Sequence, residues 1–164
     1  MRVRHRREAE AEPAALWAAA CAVRLIDARR LGRLIRLRIP GLDPQLTLDR
    51  MFRSPPFNVL EAGQRLLVSG LVGRIWTLRR DYPSLSGPEE FRTWSARGTV
   101  RVLFANWVEP VDGGGAALVS ESRVAAVDRR GRLGLAVVRP LIASSNGLIA
   151  SDGINAALAR LRDG

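Results

Sequence analysis

The stretch "GTVRVLFANWVEPVDGGGAALVSESRVAAVD", residues 98–128, decides the fold of this chain. Two apolar runs are joined by Asp112 and three glycines, and glycine allows the positive φ angles that a tight turn between antiparallel strands requires. The stretch therefore predicts a β-hairpin. The triple glycine is not typical of a phosphate-binding loop, because a strand rather than a helix follows it and the chain contains no lysine.

The second strand of this hairpin carries an acid and a guanidinium on one face. Glu121 and Arg123 are two residues apart, so both side chains point to the same side of the strand. Facing outward, they form an exposed ion pair worth about 0–1 kcal/mol. Facing inward, they must be paired or must meet a polar ligand, because a buried charge is costly. The two faces of the strand are equally apolar, so this pattern leaves the direction open.

The N-terminal part of the chain predicts a strand followed by two helices. "RVRHRR" (residues 2–7) suits a strand with Val3 and His5 on one face, and Pro13 suits the first turn of a helix. A basic amphipathic helix is predicted from Asp27 to Pro40. It could lie on an anionic membrane or cover a sheet with its arginines in water, and both remain open.

From Gln45 onward the pattern predicts strands. They are "LTLDRMF" (46–52), "FNVLEAGQRLLVSGLVGRIWTL" (57–78) and one or two strands in "FRTWSARGTVRVLFANWVEP" (91–110). The segment "DYPSLSGPEE" (81–90) has the composition of a loop.

The C-terminal part predicts one long helix. Residues 129–162 repeat apolar side chains at the helical period, and one apolar stripe includes Leu133, Val137 and Leu141. A strand, two helices, a run of antiparallel strands and a final helix make an α+β order, in which a curved sheet can wrap the final helix.

Composition limits the partners and the compartment. All 26 basic residues are arginines, and against 16 acidic residues they give a net charge of +10, which attracts nucleic acid and anionic membranes. No zinc-finger, helix-turn-helix or aromatic RNA-binding motif accompanies the charge, so we expect no specific nucleic-acid partner and at most a weak contact with anionic membranes. The single Cys21 excludes an internal disulfide and favours a cytoplasmic protein. The apolar stretch 13–23 is too short for a membrane span.

Several segments together resemble the START-like superfamily, also called SRPBCC, which includes polyketide cyclase-like, lipid-transfer and birch-pollen-allergen-like proteins. They are "FNVLEAGQRLLVSGLVGRIW" (57–76), "GTVRVLFANWVEP" (98–110), "ALVSESRVAAVD" (117–128) and "VVRPLIASSNGLIA" (137–150). The third is similar to a strand with the motif threonine-glutamate-threonine-arginine-valine. The chain departs from the pattern at "GRLGLAVV" (131–138), where relatives tend to carry aromatic residues.

The resemblance implies a single START-like domain over residues 1–164 with a helix-grip fold. In this fold a curved antiparallel sheet wraps a long C-terminal helix, with two short helices after the first strand, and a cavity holds an apolar or amphipathic molecule. By the resemblance, Glu121 and Arg123 face inward and orient the polar end of the ligand. The candidate ligand-binding residues are Arg74, Trp76, Phe104, Trp107, Glu121, Arg123, Val137 and Leu141. For the three aromatic residues, plain core packing is the alternative.

No catalytic set can be assembled from the sequence. His5 is the chain's one imidazole and lies near the N-terminus, and neither a Ser-His-Asp set nor a metal-ligand spacing is present. Glu121 could act as a general base if burial raised its pKa. We therefore expect a binding module without cofactor or metal, as a monomer or homodimer, that takes an apolar small molecule. The alternatives are a cyclase, dehydrase or hydrolase on the same fold, and a basic peripheral membrane or nucleic-acid binder.

Overall fold

Five strands form one antiparallel sheet with helices packed against it. The computed structural model describes residues 1–28, 33, 41, 43–77 and 82–163, with the backbone alone at 139–151 and 163. The strands are β1 (Arg2–Ala9), β2 (Asn58–Gly63), β3 (Leu66–Gly73), β4 (Val100–Val111) and β5 (Gly115–Ala126), in the order β1-β5-β4-β3-β2. The helices are α1 (Pro13–Cys21), α2 (Leu48–Phe52), α3 (Pro88–Thr93) and α4 (Arg129–Asp163). The predicted α+β class is confirmed.

The central hairpin is the one that the sequence predicts. Strands β4 and β5 pair along their whole length, from Val100 opposite Ala126 to Val111 opposite Gly115. Gly113 has a φ of 95° and Gly114 a φ of 94°, a region that residues with a Cβ rarely adopt. These two glycines therefore set the turn that fixes the register of the longest strands.

The prediction of a helix beginning at Pro13 is also confirmed. Pro13 lies in the first turn of α1, where a missing backbone N–H costs nothing, and Leu16 on the next turn is fully buried. The second predicted helix, from Asp27 to Pro40, lies almost entirely outside the described residues.

Two short helices lie where the sequence predicts a strand or a loop. In "LTLDRMF", the side-chain oxygen of Thr47 accepts a hydrogen bond from the Arg50 N–H at 3.3 Å and caps α2. This cap satisfies one of the free N–H groups at the helix start, and it outweighs a weak alternation of apolar residues. Helix α3 begins at Pro88, inside the predicted loop 81–90, and ends at Thr93, inside the segment 91–110 where strands were expected. Glu89 and Glu90 lie in its first turn, where acidic side chains are favourable.

Two buried apolar clusters hold the helices against one face of the sheet. The first joins Leu16 of α1 and Ile154 of α4 to Leu118 of β5. The second packs Leu135 of α4 against a group that includes Val124 of β5. We call the sheet face that carries Leu118 and Val124 the helix face, and the opposite face the outer face.

A contact with one tryptophan sets the rotation of α4. A Cβ at Gly134 would overlap the ring of Trp76, so only glycine allows the helix to approach this closely. The contact turns Gly134 and Leu135 toward the sheet and leaves Leu133 and Val137 65% and 78% exposed. The expectation that these two residues belong to the covered stripe is therefore wrong. The side chain of Leu141 lies outside the described residues.

Candidate functional site

The centre of the helix face is polar and only partly covered. On β5, Ser120 and Ser122 are half-buried, although Leu118 before them and Val124 after them are buried. On β4, Asn106 is also half-buried. Solvent-accessible surface therefore remains on the sheet between the two regions that the apolar clusters bury.

One row of hydrogen-bonding side chains crosses three strands at this centre. His5 of β1 lies opposite Ser120 of β5, and Ser120 lies opposite Asn106 of β4. Directly opposite residues of antiparallel strands have Cβ atoms about 4.5–5.5 Å apart. A ligand above this row would meet an imidazole, a hydroxyl and an amide together.

The neighbouring row joins an aromatic wall to two serines. Phe104 lies opposite Ser122 on one side and Ser69 on the other. Its ring packs against those of Phe52 and Phe57, with ring centres 5.3 and 5.7 Å away. An apolar surface and hydrogen-bonding groups thus lie side by side on the helix face.

Two buried polar atoms on the helix face have no hydrogen-bond partner among the described residues. They are His5 Nε2 and Ser69 Oγ, and Ser69 is only 1% exposed. Folded proteins pair nearly all of their buried polar groups, because an unpaired one costs about 1–3 kcal/mol. Such an atom is expected where a bound water, ion or ligand supplies the partner.

Glu121 and Arg123 lie on the outer face, so the expectation that they face inward is wrong. Alternation along β5 directs them away from the face of Leu118 and Val124. The Glu121 carboxylate accepts hydrogen bonds from Arg2 Nη2, at 2.7 Å, and from Arg123 Nε. The two guanidinium groups cover the carboxylate, which leaves the Glu121 side chain 2% exposed.

These contacts also rule out Glu121 as a base with a raised pKa. The hydrogen bond from Arg2 and, more weakly, that from Arg123 hold the pKa of the Glu121 carboxyl below its usual value, against the opposing effect of burial. The carboxylate is therefore a structural anion on the outer face.

Trp107 belongs to the same outer surface. The Arg4 guanidinium lies 5.1 Å from the centre of the Trp107 ring, and the indole N–H donates to Glu109 at 3.1 Å. Arg6 also binds Glu109, and this hydrogen bond is the main reason why the pKa of the Glu109 carboxyl is lowered. Trp107, a candidate ligand-binding residue, therefore packs under Arg4 on the outer face and not on the helix face.

The other expected ligand-binding residues divide between two environments. Phe104 and Trp76 pack in the cluster on the helix face. Arg74 is exposed at the end of β3, and Val137 is exposed on α4. The structure thus brings Phe104 and Trp76 together and separates them from the charged residues.

Four residues at the centre of the helix face are not among the ligand-binding residues that the sequence predicts: His5, Ser69, Asn106 and Ser120. His5 is close to the N-terminus in the sequence, but β1 pairs along its whole length with β5, and this places His5 within the sheet. The alternation of "RVRHRR", which pairs His5 with Val3 on one face, was the available signal.

An open groove of about 540 Å³ lies elsewhere, between the end of β1 and the last turns of α4. It is lined by Glu8, Ala9, Glu10, Asn155, Leu158, Leu161 and Arg162. Its three charged residues are exposed, and it contains neither of the unpaired buried atoms. The centre of the helix face is therefore the better candidate site.

Two classes of feature are absent from the described part of the chain. Within residues 1–28, 33, 41, 43–77 and 82–163, no helix has the length and apolarity needed to cross a membrane. Over the same ranges, no three histidine, cysteine, aspartate or glutamate side chains are grouped so that they could hold a metal ion.

Solved structures similar to the chain overlap it from end to end at low similarity. They include a protein from Thermus thermophilus (13% identity, 98% of this chain and 99% of that chain, TM-score 0.35) and norcoclaurine synthase from Thalictrum flavum (12% identity, 96% and 86%, TM-score 0.35). A third is the Zhui aromatase/cyclase from a Streptomyces species (12% identity, 98% and 95%, TM-score 0.35). No family model and no curated protein matches the chain. Likenesses this low define neither a family nor an activity, so the architecture rests on the strand pairing of the chain itself.

Proposed function

We propose that residues 1–164 form one helix-grip domain of the START-like kind, which binds a hydrophobic or amphipathic small molecule between the helix face and α4. The observation that carries the proposal is the pair of unpaired buried atoms, His5 Nε2 and Ser69 Oγ, beside the half-buried centre of the sheet. A core that served stability alone would replace these groups with apolar side chains.

The course of α4 supports this location. Leu135 packs in the cluster that contains Val124, and Ile154 packs in the cluster that contains Leu118. The helix that joins these two points, about 28 Å long at 1.5 Å per residue, must cross the centre of the helix face. Ser120 and Ser122 then lie beneath α4, between its two anchored ends.

The site has one surface for the apolar part of a ligand and another for its polar part. An apolar body would lie on the rings of Phe104, Phe52 and Phe57, with a gain of about 25 cal/mol for each Å² removed from water. A polar group of the ligand would reach the row of His5 and Ser120, where the imidazole and the hydroxyl would form hydrogen bonds with it. The aromatic wall would thus supply affinity, and the polar row would orient the ligand.

The test is a titration with the apolar fluorescent probe N-phenyl-1-naphthylamine. Ser122→Leu fills the centre of the helix face, whereas Ala125→Leu adds the same side chain to the exposed side of the same strand. We expect saturable binding of one probe per chain, at least about tenfold weaker in Ser122→Leu and unchanged in Ala125→Leu. Uptake that does not saturate, or equal effects of the two variants, would contradict the proposal.

One observation favours a second candidate, an enzyme of cyclase, dehydrase or hydrolase type on the same fold. The unpaired Nε2 of His5 is directed to the helix face opposite Ser120, where an imidazole could move a proton of a bound substrate. The test is turnover of poly-β-ketone and ester substrates by the wild type and by His5→Gln. Turnover that is lost in the variant, with probe binding kept, would support an enzyme. Equal turnover by both proteins would exclude His5 as the catalytic group, and turnover by neither would count against an enzyme acting on these substrates.

A further inference from the structure

The first turns of α4 expose two aliphatic side chains to solvent. Leu133 and Val137 are four residues apart, so they lie on one face of the helix. Among the large apolar side chains that the structure describes, they are the two most exposed. The contact between Trp76 and Gly134 fixes this orientation, because it turns the opposite side of the helix toward the sheet.

Arginines surround these two side chains. Arg129, Arg130 and Arg132 are exposed on the same turns of α4. Arg130 also lies beside Gly98: a Cβ added at Gly98 would be 3.8 Å from Arg130 Cβ and 4.0 Å from Arg74 Nη2. The exposed Arg97 is next to Gly98 in the chain. We call the whole surface the α4 patch; it consists of Arg74, Arg97, Arg129, Arg130, Arg132, Leu133 and Val137.

The protein offsets only part of the charge of the α4 patch. Within the described part of the chain, none of its five arginines forms a salt bridge, in contrast to Arg2, Arg24 and Arg53 elsewhere. The nearby Asp128 carboxylate interacts electrostatically with Arg130 and Arg97, but it accepts its hydrogen bonds from the Gly131 N–H at 2.8 Å and the Gly98 N–H at 3.1 Å. The patch therefore combines an apolar centre with a basic rim.

We propose that the α4 patch docks the protein on the surface of an anionic lipid bilayer. Leu133 and Val137 enter the boundary between headgroups and acyl chains, and the guanidinium groups bind lipid phosphates. This chemistry matches both halves of the patch, whereas a nucleic acid would match the arginines alone. The proposal goes beyond small-molecule binding and does not depend on it.

The test compares two pairs of matched variants in cosedimentation with vesicles of phosphatidylcholine alone and with added phosphatidylglycerol. Val137→Glu should lower partitioning onto the anionic vesicles at least about tenfold. Ile26→Glu, the same change in charge at a position 51% exposed, should leave it near the wild-type value. Arg130→Gln should lower it about fivefold, and Arg92→Gln, on the exposed surface of α3, should have little effect. High salt should release the wild-type protein.

Several outcomes would overturn the proposal. Equal losses in Val137→Glu and Ile26→Glu would mean that overall charge alone drives binding, and equal binding to both kinds of vesicle would exclude recognition of anionic lipid. A dimer that Val137→Glu dissociates in analytical ultracentrifugation would assign the patch to a second copy of the chain. Circular dichroism checks that each variant folds. If Val137→Glu does not fold, the comparison of Arg130→Gln with Arg92→Gln tests the proposal instead.

Discussion

His5 of β1 lies directly opposite Ser120 of β5, and both side chains are on the sheet face against which α4 packs. Polar residues therefore occupy positions where a sheet covered by a helix usually carries apolar ones. Places where local chemistry departs from what stability requires are typical of functional sites.

The buried hydroxyl of Ser69 should reduce stability. Ser69→Ala removes an unpaired polar atom, so we expect the free energy of unfolding to rise by about 1 kcal/mol in urea denaturation. Thr99→Val is the matched control, because the buried Thr99 hydroxyl accepts from Trp94 Nε1 at 3.0 Å and donates to the Ala96 carbonyl at 2.6 Å. It should lower stability by about 1–3 kcal/mol. Similar losses in both variants would show that Ser69 is paired in solution.

Alanine at position 134 should be destabilising, although alanine normally stabilises a helix by about 0.5–1 kcal/mol relative to glycine. A Cβ there overlaps the rigid Trp76 ring, and we expect Gly134→Ala to lower the free energy of unfolding by about 1–3 kcal/mol. In a Trp76→Ala background the same change should be neutral or stabilising, which a double-mutant cycle measures. A stabilised single variant would mean that the ring does not contact the helix.

Glu121 should contribute stability that depends on pH. Because the pKa of its carboxyl is lower in the folded protein than the ordinary value of 4.5, this contribution is fully present above about pH 4.5 and is lost as the pH falls through the lower folded value. Glu121→Gln should therefore cost about 1–3 kcal/mol near neutral pH, and this difference from the wild type should shrink in acid. Glu61→Gln, on the exposed side of β2, should change stability by less than about 0.5 kcal/mol. A Glu121→Gln difference that is independent of pH would contradict this account.

Cys21 should react slowly with alkylating agents. Burial, and next the Asp49 carboxylate, raise the pKa of its thiol to about 11, so little of the reactive thiolate exists near neutral pH. We expect iodoacetamide to label folded protein at least about tenfold more slowly than protein unfolded in urea. Asp49→Asn should accelerate labelling, and Asp43→Asn, in an exposed loop, should not. Equal rates in the folded and unfolded protein would show that the thiol is freely accessible and has an ordinary pKa.

Local signals were sufficient for the elements that carry strong turn or capping chemistry. The hairpin around Gly113 and the helix that begins at Pro13 follow from backbone preferences alone. At α2 a weak alternation of apolar residues predicts a strand, and at α3 the composition of residues 81–90 predicts a loop, although both segments also carry helix signals. Thr47 as a cap and Pro88 followed by two glutamates would have predicted both helices.

The position of the candidate site could not be predicted from local patterns. Both faces of β5 contain apolar and polar residues, so only the packing of helices on the face of Leu118 shows that Glu121 points away. The rotation of α4 depends on a contact between Trp76 and Gly134, which are far apart in the sequence. These are tertiary relationships, and a single sequence carries no periodic signal for them.

The most direct test of the small-molecule site uses the chain's one histidine, whose imidazole gives a single, unambiguous set of signals in nuclear magnetic resonance spectra. Addition of N-phenyl-1-naphthylamine should shift the His5 ring signals and saturate at one probe per chain, with the response lost in Ser122→Leu and kept in Ala125→Leu. His5 signals that do not move while the probe binds elsewhere would contradict a ligand site on the helix face.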